Sequence, residues 1–195
     1  SGGMMTERAE RVLDPFHMRN AEWTQLSHRL ERFELFMAIF TQNLGHRDHD
    51  LSVREYEYAR NRAAGRASED SVDLTKLWLD ACMFVMCLYE VVRSMDERIR
   101  EDAELSLSPA AQVCRETKQL FERVSIPLAK FQPAKRHQST DYAVVVPGMA
   151  GDRSVAWDVA DGVVISRRTL SGAFLEALRA LPRRAAISDE FGASS

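Results

Sequence analysis

The chain has 195 residues, of which 45% are hydrophobic and 28% charged, with a formal net charge of -3 and an isoelectric point near 6.0. This hydrophobic content is sufficient for a core, which excludes a wholly disordered chain, and the length fits one domain. The slightly acidic balance argues against a protein that binds nucleic acids or anionic membranes over its whole surface.

Residues 1–19 form a polar lead-in to the first helical pattern. Ser1-Gly2-Gly3, ahead of two methionines, resembles a cloning remnant, and Pro15 interrupts the segment. We therefore expect this segment to be irregular or partly helical.

From Asn20 the pattern predicts a long helix that ends at Gly45, a typical C-terminal cap. Leu35, Phe36 and Ile39 widen its apolar stripe, so we expect that end of the helix to be buried on more than one side. The residues that define the stripe recur at alternating steps of three and four; they are Trp23, Leu26, Leu30, Phe33, Met37, Phe40 and Leu44.

A polar link, His46–Asp50, precedes a second, shorter helix over Leu51–Ala64, and residues 65–71 form a loop. The longest helix then runs from about Leu74 to Glu104. Its seam again follows steps of four and three: Leu74, Trp78, Ala81, Val85, Leu88, Val92, Met95 and Ile99.

The most apolar run, Leu77–Val92, is too short to span a membrane and contains two carboxylates, so we expect a core helix and no membrane association. The three cysteines, Cys82, Cys87 and Cys114, form an odd set without a Cys-x-x-Cys motif. Buried, reduced thiols in the cytoplasm are the simplest interpretation.

Pro109 opens a fourth helix that extends to about Lys130, with Pro127 expected to kink or end it. A polar link over residues 132–141 follows. The period then changes to β-structure, with strands predicted at Tyr142–Val146, Ser154–Val159 and Val163–Ser166. Asp161-Gly162 predicts a two-residue hairpin of type I′, in which both residues have positive φ.

Residues 168–181 form the last helix, and residues 182–195 read as a flexible tail. The predicted fold is therefore mainly α. It is a four-helix-type bundle over residues 20–131, with a small antiparallel hairpin or meander and a C-terminal helix, residues 132–181, packed on the bundle.

His46, His49 and Asp50 make the densest cluster of metal-ligand types, because on a helix the two histidines share one side and Asp50 flanks them. The competing interpretation is a solvated link. A metal-dependent phosphohydrolase would also need a separate His and a distant Asp, for which the chain offers His17 or His28 and Asp96 or Asp102.

Lys135, Arg136 and His137, with Lys130 close by, form a basic group where the bundle meets the hairpin. Such a group suits a phosphate or a nucleic-acid backbone, so these three residues are the candidate ligand-binding residues. The alternative is that Arg136 pairs with carboxylates of the bundle. No array of stacking aromatics or glycine-rich loop accompanies them.

The Arg167-Arg168 and Arg183-Arg184 pairs bracket the last helix, where we expect solvated helix ends. No nucleophile elbow, phosphate-binding loop or dinucleotide motif is present in the sequence. We therefore assign no catalytic residue and no cofactor.

Long helices that close on a basic junction, followed by a hairpin and short helix, loosely resemble the HEPN-type helical domains of prokaryotic defence and toxin systems. The resemblance covers residues 20–140 and rests on architecture. Active members carry an Arg, a gap of four to six residues and a His that together cleave RNA. Only Arg11 to His17 has that spacing, but Pro15 interrupts it and Val12 replaces the usual polar residue, so the resemblance implies an inactive or binding-type member.

Two wide apolar seams suggest more apolar surface than one small bundle can cover. We therefore expect a non-enzymatic, prokaryotic-type protein that acts by binding itself or a protein partner, as a homodimer formed through the first and third helices. A HEPN-like ribonuclease and the metal-dependent phosphohydrolase are the enzymatic alternatives. The slightly negative net charge disfavours a nucleic-acid partner without excluding one.

Overall fold

The computed structural model describes residues 18–66 and 71–183. Residues 1–17 of the predicted lead-in, which include the Arg11 to His17 span, and the tail beyond residue 183 lie outside the described residues, whereas residues 18 and 19 already belong to the first helix. Within them the protein is mainly α, with five helices and one small antiparallel sheet, which confirms the predicted fold class. The helices are α1 (residues 18–27), α2 (Leu35–Ala63), α3 (Ser71–Glu101), α4 (Pro109–Lys130) and α5 (Arg167–Ala180).

The first predicted helix is interrupted earlier than expected. A 3-10 turn, His28–Arg32, follows α1, and Glu34 has an extended backbone with φ of -169°. The Glu34 carboxylate accepts the backbone N–H of Met37 at 3.0 Å and caps the next helix, α2. The predicted single helix is therefore two helices, with the break at Glu34.

The predicted cap at Gly45 and the predicted link at His46–Asp50 are both wrong, since α2 continues through them for 29 residues. Gly45 is needed for close packing instead, because a Cβ atom there would lie 2.6 Å from Cβ of Trp23 in α1. One glycine inside a helix costs only about 1 kcal/mol, which tertiary packing readily offsets.

The seam predicted for the longest helix is confirmed in α3, where six of its residues are almost fully buried: Ala81, Val85, Leu88, Val92, Met95 and Ile99. After α3, the Asp102 carboxylate accepts the N–H groups of Glu104 and Leu105 and starts a short 3-10 turn. The next helix, α4, begins at Pro109 as predicted and runs three residues past Pro127.

The sheet has the strand order β1 (Pro147–Met149), β2 (Val155–Ala160), β3 (Val163–Ser166). The strand predicted at Tyr142–Val146 is wrong, because that stretch is irregular and the only bridge near it, between Asp141 and Ala160, lies just before it. Its alternating pattern has another cause: Val145 is buried, while Tyr142, Val144 and Val146 face solvent in irregular chain.

The hairpin between β2 and β3 forms where predicted, but its turn is not of type I′. Gly162 has φ of 68°, whereas Asp161 is not among the described residues with positive φ. The pairing register of β2 with β3 also shifts between Asp158 and Ala160, immediately before this turn.

The sheet, α5 and the bundle share one core. Helix α5 packs on α4, and β2 contacts both α3 and α4. The Trp23 ring of α1 stacks on Phe174 of α5 with centroids 5.3 Å apart and meets Phe84 of α3 edge-on at 6.4 Å. The sheet and α5 therefore complete the core of the bundle.

Candidate functional site

A buried ionic cluster, Arg167 with Asp48, Ser52 and Glu55, joins the start of α5 to the middle of α2. The Arg167 guanidinium donates to both Glu55 oxygens, at 2.7 and 2.6 Å, and to the Ser52 hydroxyl at 2.9 Å. It also forms an ion pair with Asp48. These charged side chains belong to residues that are 1% exposed or less, so the expectation of a solvated Arg167 is wrong.

Asp48 extends the cluster to α1. Its carboxylate accepts from Arg19 at 2.8 Å, from the Trp23 indole at 3.2 Å and from the Ser171 hydroxyl at 2.7 Å. Burial alone would raise the pKa of Asp48, but the positive charges of Arg167 and Arg19 hold it below its ordinary value.

The pKa of Arg167 is governed in the same way. Burial alone would lower it, but the hydrogen bonds that Arg167 donates to Glu55 and the charge of Asp48 raise it above its ordinary value. Glu55 additionally accepts the N–H of Val155 in β2 at 2.9 Å. The cluster thus fastens α1, α2, α5 and the sheet together, which is a structural role.

A groove runs between the antiparallel helices α2 and α3 and has a volume of about 720 Å³. We call it the α2–α3 groove. Its apolar lining is Phe40, Leu44, Leu51, Met83, Phe84 and Cys87, and its polar lining is Asn43, His46, Arg47, Asp50, Arg54 and Asp80. Arg54 and Asp80 form an ion pair at 2.5 Å across it.

The predicted metal ligands divide between two environments. His46 and Asp50 are exposed and line the α2–α3 groove, whereas His49 is half-buried and does not line it. The Nδ1 atom of His49 lies 3.8 Å from the Asp50 carboxylate. Across residues 18–66 and 71–183, no three His, Cys, Asp or Glu residues are grouped so that they could hold a metal ion.

One end of the α2–α3 groove carries exposed apolar side chains. Leu35 is 61% exposed and Phe36 67% exposed, and Ile39 and Phe40 also face solvent. Burial of this helix end on more than one side is therefore wrong in the single chain. On α3, Leu79 and Met83 are exposed as well.

A second groove, which we call the cationic groove, follows the solvent face of α4. It consists of two adjoining hollows of about 210 and 470 Å³ that share Glu122 and Arg136. Its charged lining residues are Asp96 and Arg100 from α3, Arg115, Lys118, Glu122 and Lys130 from α4, and Lys135 and Arg136 from the segment after α4.

The predicted ligand-binding residues lie in a 3-10 turn, Lys135–His137. Lys135 and Arg136 are exposed and line the cationic groove, whereas His137 faces Asp141, with Nδ1 3.9 Å from its carboxylate. Arg123 holds the same carboxylate through two 2.8 Å hydrogen bonds. Burial alone would raise the pKa of Asp141, but the hydrogen bonds from Arg123 and Thr140 hold it below its ordinary value. Asp141 and Arg123 therefore anchor the turn as an ion pair.

The cysteines are free, with Cys114 buried and Cys82 and Cys87 half-buried. Burial, aided by the nearby charge of Asp96, raises the pKa of Cys114 to about 12, so this thiol stays protonated and unreactive. Among the residues described, no helix is long and apolar enough to cross a bilayer.

Comparison with known proteins gave no match to any family model, to any curated protein or to any solved structure. The resemblance to HEPN-type domains therefore stays a prediction.

Proposed function

We infer that the protein acts by self-association, as a homodimer in which the α2–α3 face of one copy packs on the same face of a second copy. The observation that carries this proposal is the apolar ridge, defined as Leu35, Phe36 and Ile39 in the first turns of α2. Large apolar side chains this exposed and this close together are uncommon on a monomer.

On α2 the ridge directly precedes Phe40, which lines the α2–α3 groove, so each copy offers both a projection and a recess. A two-fold axis pairs these features reciprocally, as an isologous dimer requires. The groove, at about 720 Å³, has room for the ridge side chains of a partner and is lined near them by Phe40, Leu44 and Met83.

Charge favours a second copy over a charged partner at this face. The ionised lining consists of Arg47 and Arg54 against Asp50 and Asp80, two positive and two negative charges that sum to zero. A second copy therefore meets no net repulsion, and each ridge side chain, which is already partly buried, contributes less than the ~1.5–3 kcal/mol of a fully exposed one when the dimer covers it. The free thiols further support a reducing, cytoplasmic location for the dimer.

Sedimentation velocity and light scattering at micromolar concentrations test the proposal. We expect the wild-type chain to be a dimer and Phe36→Glu to be a monomer, because two carboxylates would be buried near the dyad without partners. Circular dichroism of Phe36→Glu checks that the exposed substitution leaves the fold intact.

Val146→Glu is the matched control, since Val146 is 67% exposed, as Phe36 is, but lies next to the sheet, which meets α2 at Glu55, far along the helix from the ridge. It should remain a dimer. A monomeric wild-type chain at about 100 μM, or dissociation of both variants alike, contradicts the proposal.

A further inference from the structure

We propose that the cationic groove binds single-stranded nucleic acid through its phosphate backbone. Its residues are distinct from those of the α2–α3 face, so this inference is independent of the proposed dimer.

The shape of the groove suits an extended ligand. Its α4 residues, from Arg115 through Lys118, Glu122 and Ile126 to Lys130, recur at helical spacing along one face. Fifteen residues of helix correspond to about 22 Å. A compact phosphate ester would occupy only one of the two hollows, whereas a strand can follow both.

The local charge is strongly positive although the whole chain is slightly acidic. The groove holds six cations against two carboxylates, Asp96 and Glu122, for a net charge of +4. The six are Arg100, Arg115, Lys118, Lys130, Lys135 and Arg136. They lie along the length of the groove, as the repeating phosphates of a strand require.

Two of the cations are held in place and the others are available. The buried Asp96 carboxylate binds Lys118 at 2.8 Å and Arg100 at 3.4 Å, which orients both at one end. Arg115, Lys130, Lys135 and Arg136 form no ion pair with any described residue, so a phosphate would not have to displace an existing partner.

An exposed aromatic ring supplies the second half of single-strand recognition. Phe131 does not itself line the groove, but it stands in the chain between Lys130 and Gln132, which do, and it is 71% exposed. It adopts the left-handed conformation, with φ of 54° and ψ of 37°, which a bulky residue rarely takes. A strained, solvent-facing phenylalanine next to a cationic groove is suited to stacking with a base.

Fluorescence anisotropy with a labelled single-stranded oligonucleotide of about twelve nucleotides tests the proposal. We expect the logarithm of the association constant to fall linearly with the logarithm of the salt concentration, with a slope of about 0.7 for each phosphate contacted. Arg136→Glu should weaken binding by about tenfold or more and reduce this slope. Phe131→Ala should weaken binding by about tenfold and leave the slope unchanged, because it removes stacking and no charge.

Arg60→Glu is the control for charge reversal, because Arg60 is exposed on α2 and lies outside the groove lining. It should bind as the wild type does. Equal losses in Arg60→Glu and Arg136→Glu would overturn the proposal, because they would show a general charge effect. Inorganic pyrophosphate that competes as well as the oligonucleotide, with no effect of Phe131→Ala, would overturn it in favour of a compact phosphate site.

Discussion

Arg167 is the residue on which the internal packing most depends. Its guanidinium binds Glu55 in the bidentate geometry that only arginine provides and also pairs with Asp48, with Phe84 below its plane at 5.7 Å. Removing one partner of such a group leaves the opposite charges buried and unpaired, which costs more than the intact pair contributes.

Arg167→Ala should therefore lower the free energy of unfolding by about 3–5 kcal/mol, because two carboxylates lose their shared cation in a buried site. Arg167→Lys should recover only part of this, since an ammonium group cannot hold both oxygens of Glu55 and the Asp48 carboxylate in the same plane. Urea unfolding monitored by circular dichroism measures both differences.

The adjacent Arg168→Ala is the control, because Arg168 is half-exposed, lies outside the buried ionic cluster and acts on Asp152 only through its charge. It should change stability by no more than about 0.5 kcal/mol. Similar losses at the two positions would show that Arg167 acts only through the helix start and that the buried ionic cluster is dispensable.

The sequence contains a local signal for the α2 half of this cluster but not for its partner. Asp48, Ser52 and Glu55 follow one another at steps of four and three, the same spacing as the apolar seam around them. Such a polar row inside a helical pattern indicates buried polar residues. Arg167 lies 119 positions away from Asp48, and nothing in the local pattern distinguishes it from its solvated neighbour.

At the scale of elements, periodicity predicts the interiors of the helices but not where they stop. The seam of α3 and the start of α4 follow from the sequence because apolar spacing and Pro109 act locally. The break at Glu34 and the continuity through Gly45 depend on how α1 crosses α2. A glycine in a helical pattern indicates either a helix end or a close approach of two helices. Which of the two it is depends on the position of the neighbouring helix, which the local sequence does not contain.

Gly45→Ala should lower the free energy of unfolding by about 1–2 kcal/mol. The new methyl group would meet Cβ of Trp23 at 2.6 Å, and Trp23 is fully buried and hydrogen-bonded to Asp48, so it has little room to retreat. This overpacking costs about 1–3 kcal/mol and exceeds the helix-propensity gain of about 1 kcal/mol.

Gly172→Ala in α5 is the matched control with the opposite expected sign. Beyond its own helix backbone, no atom lies within 4 Å of a Cβ built at Gly172. The substitution should therefore gain the higher helix propensity of alanine and stabilise the protein by about 1 kcal/mol. Thermal unfolding of both variants checks the pair. Stabilisation by both would show that α1 can move away from α2, and the close approach at Gly45 would not constrain the fold.

The surface sites were only partly accessible from sequence for the same reason. Lys135 and Arg136 were identified because they are adjacent, but Arg100, Arg115 and Lys118, which complete the cationic groove, come from two other helices. The apolar content of the ridge predicts burial on more than one side of the helix, but in the single chain these residues are exposed. Sequence gives the apolar content of a helix face, whereas exposure depends on which other elements of the same chain reach it.

For the whole molecule, the two proposed surfaces differ in the physical force that each would use. The α2–α3 face is apolar with balanced charge, whereas the cationic groove carries a net charge of +4. Hydrophobic association is insensitive to moderate salt, but phosphate binding weakens steeply as counterions compete. Raising salt from about 50 to 200 mM should therefore release the oligonucleotide and leave the dimer intact.

The same separation predicts the behaviour of the Phe36→Glu monomer toward an oligonucleotide short enough to fill one groove. The lining of the cationic groove comes entirely from one chain and includes no residue of the ridge. The affinity per protomer should consequently stay within about twofold of that of the dimer. Anisotropy titrations of the variant and the wild type, each at a concentration where its oligomeric state is known, measure this. A monomer that folds normally but no longer binds would show that the second copy completes the nucleic-acid site, and the two surfaces would then be one functional unit.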